Sequence, residues 1–102
     1  GMTGKSMKVA ELKKGMLLKF KHAEAYSFLR DENGFHWLTI VDDIKQTLRH
    51  HHYLGQPLMI YLGSEEHEEP THYGQFRKTR MVSIGGRTVA IFPEQWKRIE
   101  KA

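Results

Sequence analysis

Two adjacent glycines, Gly85 and Gly86, interrupt the apolar and basic stretch FRKTRMVSIGGRTVAIF near the end of the chain. Glycine adopts the positive φ angles that a tight two-residue hairpin turn needs. Residues 81–84 should therefore run into the turn, and Val89 and Ile91 should lie on the strand that returns from it. This hairpin predicts a domain built mainly from β-strands.

Alternating apolar residues predict two more strands in the first half of the chain. In MLLKF the side chains expected to face the core are Met16, Leu18 and Phe20. RDENGF then supplies an Asn33-Gly34 turn, and FHWLTIV, residues 35–41, should return from it. Because apolar residues fall on both faces of FHWLTIV, we expect this strand to be covered on both sides.

The centre of the chain combines an apolar segment with an acidic one. PLMIYLG predicts a strand that ends at Gly63. Its two faces would carry Leu58, Ile60 and Leu62 on one side and Met59 and Tyr61 on the other. The next segment, SEEHEEPTHYGQ (residues 64–75), contains four glutamates without a calcium-loop spacing, so we expect a long solvated loop.

The final stretch, FPEQWKRIEKA, predicts one helical turn before a last strand. Pro93 has a φ close to the helical value and needs no N–H in the first turn of a helix. Ile99 should then point inward from a short strand. The chain would thus end with a hairpin, a helical turn and a strand.

This order of elements resembles that of SH3-like small barrels, from LKKGMLLKF to WKRIE. ELKKGMLLKF and the segments from YLG to GRTVAIFPEQW look similar in particular to uncharacterised barrel proteins of bacteriophage and marine microbial type. The resemblance implies a mainly β fold, a small barrel of about five short strands with a one-turn helix before the last strand. One such domain would occupy residues 7–102, after a flexible start at residues 1–6 in which Gly1 looks like a remnant of tag removal. The resemblance brings no catalytic residue, and the chain lacks the Ala-Leu-Tyr-Asp-Tyr pattern of SH3 domains that bind proline-rich peptides.

The segment DDIKQTLRHHHYLGQP carries three consecutive histidines. Asp43 and Gln46 have the spacing of a helix capping box, so a short mid-chain helix is one prediction, and a strand is the alternative that stays open. On a helix, consecutive side chains point about 100° apart, whereas on a strand His50 and His52 share a face that His51 does not. A zinc site would need further ligands, for which the candidates are His36, His67 and His72. These spacings match no metal-binding signature, so we expect a solvated segment and no bound metal.

Several functional classes lack the residues or motifs they require. The 102 residues include no cysteine, which excludes disulfides, thiolate metal sites and a cysteine nucleophile and is typical of an intracellular, cytoplasmic protein. No apolar run approaches the roughly 20 residues that cross a bilayer, so we expect a soluble protein without a membrane partner. Nucleophile-elbow and P-loop motifs are missing as well, so we expect neither catalysis nor a cofactor.

Lysine and arginine concentrate at the two ends of the chain. Residues 1–30 carry seven of them against two acids, residues 31–69 carry two against eight, and residues 70–102 carry seven against two. If the two ends lie together, as in many compact domains, they would form one basic surface. The residues predicted to bind phosphate or an acidic partner are Lys19, Lys21, Arg77, Lys78, Arg80, Arg87, Lys97 and Arg98. The residues predicted to stack on a nucleic-acid base are Tyr73 and Phe76.

Two functions follow from these features, and the sequence leaves both open. The first is a small non-enzymatic interaction module that joins a protein partner or a second copy through a sheet edge or through matched acidic and basic surfaces. The alternative is a nucleic-acid-binding small barrel that uses a basic surface from both chain ends. Aromatic residues commonly occupy core positions, but six aromatic residues of this chain are also candidates for an exposed aromatic surface. They are Tyr26, Phe28, Tyr53, Tyr61, Tyr73 and Phe76.

Overall fold

Glycine turns and alternating side chains produce one sheet of eight strands in the computed structural model, which describes residues 11–42, 53–70 and 74–102. The strands are β1 (Leu17–Phe20), β2 (Glu24–Arg30), β3 (His36–Ile40), β4 (Tyr53–Gly55), β5 (Met59–Glu68), β6 (Phe76–Ile84), β7 (Arg87–Ile91) and β8 (Ile99–Lys101). Their order across the sheet is β4-β2-β3-β7-β6-β5-β1-β8. Neighbours are antiparallel except β3 and β7, which are parallel. The fold is therefore mainly β, as the sequence predicts.

Both predicted turns are confirmed. Gly85 and Gly86 have φ angles of 57° and 81°, and β6 pairs with β7 on either side of them. Gly34, between β2 and β3, has a φ of 86°. The Asp31 carboxylate closes this second turn by accepting two backbone N–H groups, each at 2.9 Å.

The predicted end of the chain is also confirmed. Pro93 begins a 3₁₀ helix, Pro93–Arg98, that leads directly into β8. Trp96 buries its ring from this helix, and Ile99 at the start of β8 is fully buried.

The sheet buries apolar side chains on both faces. Leu18 and Phe20 lie in the larger cluster, with Met16 packed against it, as predicted. Trp37 and Leu38 are adjacent in β3, so they point to opposite faces, and both are fully buried. Trp37 belongs to a smaller second cluster, whose other members are Met81, Ala90 and Phe92. The predicted covering of this strand on both sides is thus confirmed.

The prediction of a long acidic loop after Gly63 is wrong. β5 continues from Met59 to Glu68 through a bulge at Gly63, where φ is 99°, and its acidic half pairs with the basic half of β6. Glu66 lies opposite Lys78 and His67 lies opposite Arg77. Opposite charges across an antiparallel pair favour pairing, so residues that look solvated by themselves form a strand once this partner is present.

The prediction of a five-stranded barrel is also wrong, because the described strands form an open sheet of eight. β2 and the acidic half of β5 add pairing that the sequence pattern did not predict, whereas β4 agrees with the strand alternative for its segment. β4 and β8 end the sheet without pairing to each other. A few hydrogen bonds still bring these two ends together. The Gln56 side-chain amide, just after β4, donates to the Phe20 carbonyl of β1 at 2.9 Å, and the Arg98 guanidinium, just before β8, lies 3.4 Å from a Glu24 oxygen of β2.

Some predictions fall outside the described residues. These are the flexible start at residues 1–6, the mid-chain helix with Asp43 and Gln46, the histidines His50, His51, His52 and His72, and the stacking residue Tyr73.

Candidate functional site

Of the eight basic residues predicted to bind phosphate, Lys19, Arg77 and Arg98 form ion pairs with acidic residues that the structure describes. Arg98 donates to both carboxylate oxygens of Asp42, at 2.8 and 3.1 Å, and lies 3.4 Å from Glu24. The two other pairs are Lys19 with Glu100 at 3.9 Å and Arg77 with Glu69 at 3.2 Å. Cations paired in this way offer less positive charge to a ligand than free ones.

The Arg98 contact changes the acidity of its partner. Its hydrogen bonds hold the pKa of the Asp42 carboxyl below the ordinary value of 3.8, and the charges of Arg98 and Lys97 add to the effect. In return, the pKa of Arg98 is raised, first by its hydrogen bonds to Asp42.

A pH dependence of stability follows from the lowered pKa of Asp42. The interaction stabilises the folded state fully above the unfolded-state pKa of Asp42, near 3.8, and is lost as the pH falls through the lower folded-state pKa. Asp42 is 71% exposed in its side chain, so water screens the pair and we expect a contribution of at most about 1 kcal/mol. Urea unfolding of the wild type and of Asp42→Asn at pH 6 and pH 2.5 checks this. The difference between the two proteins should shrink at the lower pH, and an unchanged difference would contradict the expectation.

Two of the other predicted arginines lie over aromatic rings. The Arg80 guanidinium lies over the Trp96 ring, 4.5 Å from its centroid, and the Arg87 guanidinium lies over the Phe28 ring at 4.6 Å. These two arginines line different cavities. Lys78 lines the same cavity as Arg80. Lys97 is exposed and Lys21 is half-buried, and of the predicted stacking residues Phe76 is 66% exposed.

One cavity, of about 430 Å³, is here called the aromatic groove. Its lining includes Tyr26, Phe28, Tyr53, Pro57, Leu58 and Arg87. Three of the six aromatic residues predicted as candidates for an exposed surface meet here, from β2 and β4. The Tyr26 and Tyr53 rings stack with centroids 5.5 Å apart, and Phe28 lies 5.9 Å from Tyr26 and 5.6 Å from Tyr53.

Exposure differs sharply among the groove residues. Tyr53 and Leu58 are more than half exposed, whereas Tyr26 is buried beneath them. Burial raises the pKa of the Tyr26 phenol above the ordinary value of 10.0, and repulsion from Tyr53 adds to the effect. The groove thus presents an exposed ring and an exposed aliphatic side chain on a fixed aromatic base. Tyr61, another of the candidates, is instead in the core.

A second cavity, of about 310 Å³, is here called the basic cavity. Ser64, Lys78, Arg80, Ile91, Pro93 and Trp96 line it. Ser64 Oγ lies 3.0 Å from the Tyr61 hydroxyl, a hydrogen bond in which either group can donate. The cavity thus brings the cationic side chains of Lys78 and Arg80 next to apolar side chains.

The residues most suited to acid–base chemistry have structural contacts. His67 is buried, with Nε2 3.1 Å from a Glu65 oxygen, and its ring packs against Phe35 with centroids 4.3 Å apart. The Trp37 ring lies near it as well, with centroids 6.5 Å apart. Residues 11–42, 53–70 and 74–102 contain no group of three or more histidine or acidic side chains placed to hold a metal ion.

Sequence reasoning missed the residues that complete both cavities. The sequence pattern places Pro57 and Leu58 only in a strand and its start, and Trp96 only in a helical turn. Their contribution depends on which strands become neighbours. The sequence contains one signal for the aromatic groove, namely the aromatic residues of β2 together with Tyr53, the first residue of β4.

Compared with protein-family models, curated proteins and solved structures, the chain matches none of them. Within the part of the chain that the structure describes, no helix is both long and apolar enough to cross a membrane.

Proposed function

We propose that the protein is a non-enzymatic interaction module that binds an extended segment of a partner protein in the aromatic groove. The observation that carries this proposal is the meeting of three mutually contacting rings and a cation on one surface: Tyr26, Phe28, Tyr53 and Arg87. Tyrosine and arginine are enriched among the residues that dominate binding energy at protein interfaces. The groove volume of about 430 Å³ lies within the usual range of about 300–1,000 Å³ for ligand pockets.

The chemistry of the groove indicates what the segment carries. Its lining combines aromatic rings, aliphatic side chains and one arginine, and includes no acidic residue among those described. Apolar side chains or prolines would pack on Tyr53 and Leu58, and one Asp or Glu would pair with Arg87.

A strand edge that pairs with no other described strand adjoins the groove and supports an extended conformation for the segment. β4 is the last strand at this end of the described sheet and pairs with β2 on one side. An added strand would satisfy backbone groups on the other side of β4, as in strand-addition complexes. Tyr53 is the first residue of β4, so backbone pairing and ring contacts would act together.

The test is selection from a displayed library of random peptides on the full-chain protein, followed by fluorescence anisotropy of the enriched peptides. We expect these peptides to combine apolar residues or proline with an acid. Tyr53→Ala and Arg87→Ala should each weaken binding at least about tenfold, because truncating a tyrosine or arginine hot spot costs about 2 kcal/mol or more and about 1.4 kcal/mol is tenfold.

Arg80→Ala is the matched control, since Arg80 also lies on an aromatic ring but in the basic cavity. Its peptide affinity should equal that of the wild type. Enriched peptides that bind Tyr53→Ala and Arg87→Ala as tightly as the wild type would contradict the proposal. Sedimentation equilibrium shows whether a second copy of the protein supplies the segment. If the wild type is a dimer and Tyr53→Ala is a monomer, the partner is a second copy of this chain.

A further inference from the structure

We propose that the basic cavity binds a phosphate monoester with a flat apolar body, the chemical class of mononucleotides and aryl phosphates. The cavity is built from β5, β6, β7 and the 3₁₀ helix, and it shares no lining residue with the aromatic groove. The proposal therefore does not depend on peptide binding.

One face of β6 supplies the positive charge. Lys78 and Arg80 are two residues apart on a strand, so their side chains leave the same face. Lys78 is exposed and forms no ion pair with a described residue. Arg80 rests on the Trp96 ring, 4.5 Å from its centroid, and a guanidinium stacked in this way keeps N–H groups at its edge to donate to oxygen.

The number of cations decides which anion fits best. A phosphate monoester carries a charge of about −1.5 to −2 near neutral pH, which two cations match. A carboxylate carries only one charge and would leave the second cation unused. Three oxygens on one phosphate can also accept from Lys78, Arg80 and a hydroxyl at the same time.

Ser64 supplies that hydroxyl. It lies on β5 directly opposite Arg80 and lines the cavity. When the Tyr61 hydroxyl donates to Ser64 Oγ across their 3.0 Å contact, the Ser64 proton is left to donate to the ligand. Tyr61 is buried, so this contact also holds the Ser64 side chain in place.

The other side of the cavity is apolar and suits the body of the ligand. Ile91, Pro93 and Trp96 line it without adding a charge. The volume of about 310 Å³ is at the lower end of the usual range for small-molecule sites, about 300–1,000 Å³. Pro93 is exposed, whereas Ile91 and Trp96 are buried. A phosphate alone would leave Pro93 in contact with water, which is why we assign an ester.

Glu66 is the acid that opposes binding. It lies opposite Lys78 in the β5–β6 register and is exposed. Its charge reduces the net positive charge of the cation pair, so its neutralisation should strengthen binding of an anion.

The test is isothermal titration calorimetry of the full chain at low salt with adenosine monophosphate, adenosine, inorganic phosphate and a short single-stranded oligonucleotide without a terminal phosphate. We expect adenosine monophosphate to bind, and adenosine and inorganic phosphate to bind at least about tenfold more weakly, because each lacks one half of the contacts. Lys78→Ala and Arg80→Ala should each weaken the binding of adenosine monophosphate at least about tenfold. Glu66→Gln should strengthen it.

The controls separate this site from general surface charge and from the groove. Lys101→Ala removes an exposed lysine of β8 and Arg87→Ala removes the arginine of the aromatic groove, and both should bind adenosine monophosphate like the wild type. Lys78 is exposed, so its replacement leaves a folded protein even where loss of Arg80 disturbs Trp96.

Three results would overturn the proposal. They are equal affinity of Lys78→Ala and the wild type for adenosine monophosphate, inorganic phosphate binding as tightly as the ester, and the oligonucleotide binding as tightly as the mononucleotide. The last result would assign the cavity to the phosphodiesters of a nucleic-acid strand. Peptide binding that is lost on Tyr53→Ala while adenosine monophosphate still binds would show that the groove and the cavity work separately.

Discussion

Trp37→Ala is expected to lower the free energy of unfolding by about 3–5 kcal/mol, the range for removing a large buried aromatic side chain. Trp37 is fully buried, and its ring stacks on Phe92 with centroids 4.6 Å apart. Its Nε1–H donates to Asp31 Oδ2 at 2.9 Å, and the other oxygen of that carboxylate closes the turn before β3. The substitution therefore leaves a cavity in the second cluster and removes a hydrogen bond that holds the turn.

Guanidinium-induced unfolding of the wild type, Trp37→Ala and Trp37→Phe measures this loss of stability. Comparison of the two variants separates the contribution of ring packing from that of the hydrogen bond. Trp37→Phe keeps most of the ring contact with Phe92 but loses the hydrogen bond to Asp31, so it should cost clearly less, about 1–2 kcal/mol. A loss below about 1 kcal/mol for Trp37→Ala would show that the cluster of Trp37, Met81, Ala90 and Phe92 adds little to stability, contrary to its burial.

Phe20→Ala should have an effect of the same size, about 3–5 kcal/mol. Phe20 is fully buried on β1, lies opposite Ile99 of β8 and meets the Tyr26 ring of β2 edge to face, with centroids 5.5 Å apart. It thus packs between strands that lie near the two ends of the sheet. A domain of this size is commonly stable by about 5–15 kcal/mol, so this single change removes a large fraction of the total.

Leu17→Ala is the matched control on the same strand. Leu17 is 45% exposed on the opposite face of β1, so its truncation should cost no more than about 1 kcal/mol by chemical unfolding. Because Tyr26 forms the base of the aromatic groove, Phe20→Ala should also weaken peptide binding under conditions where it remains folded, whereas Leu17→Ala should not. Equal losses of stability for the two variants would contradict the packing described for Phe20.

The features that the sequence predicts correctly are those determined by residues within a few positions of each other. Gly34, Gly85 and Gly86 form turns because glycine reaches positive φ without steric cost, whatever the rest of the chain does. Pro93 begins a helical turn because its ring restricts φ. The alternation in β1 and the two apolar faces of β3 predicted which side chains are buried there, because side-chain direction in a strand alternates with every residue.

The sites were predicted only as sets of residue types. Tyr26, Phe28 and Tyr53 were candidates for an aromatic surface, and Lys78 and Arg80 were two of eight basic residues. Their grouping needed the strand order, which places β2 beside β4 and β6 beside β5. Arg98 shows the same limit, since its acidic partners lie 56 and 74 residues earlier in the chain.

The sequence by itself thus determined the turns, the final helical turn and the inward residues of β1 and β3, because short-range sterics decide them. Only the tertiary structure decided that residues 64–68 form a strand, because their conformation depends on pairing with a basic strand that follows later in the chain. It also decided which cations are neutralised and which border a cavity. Electrostatic and aromatic contacts act between groups that are close in space, and the distance between residues along a chain does not predict that closeness.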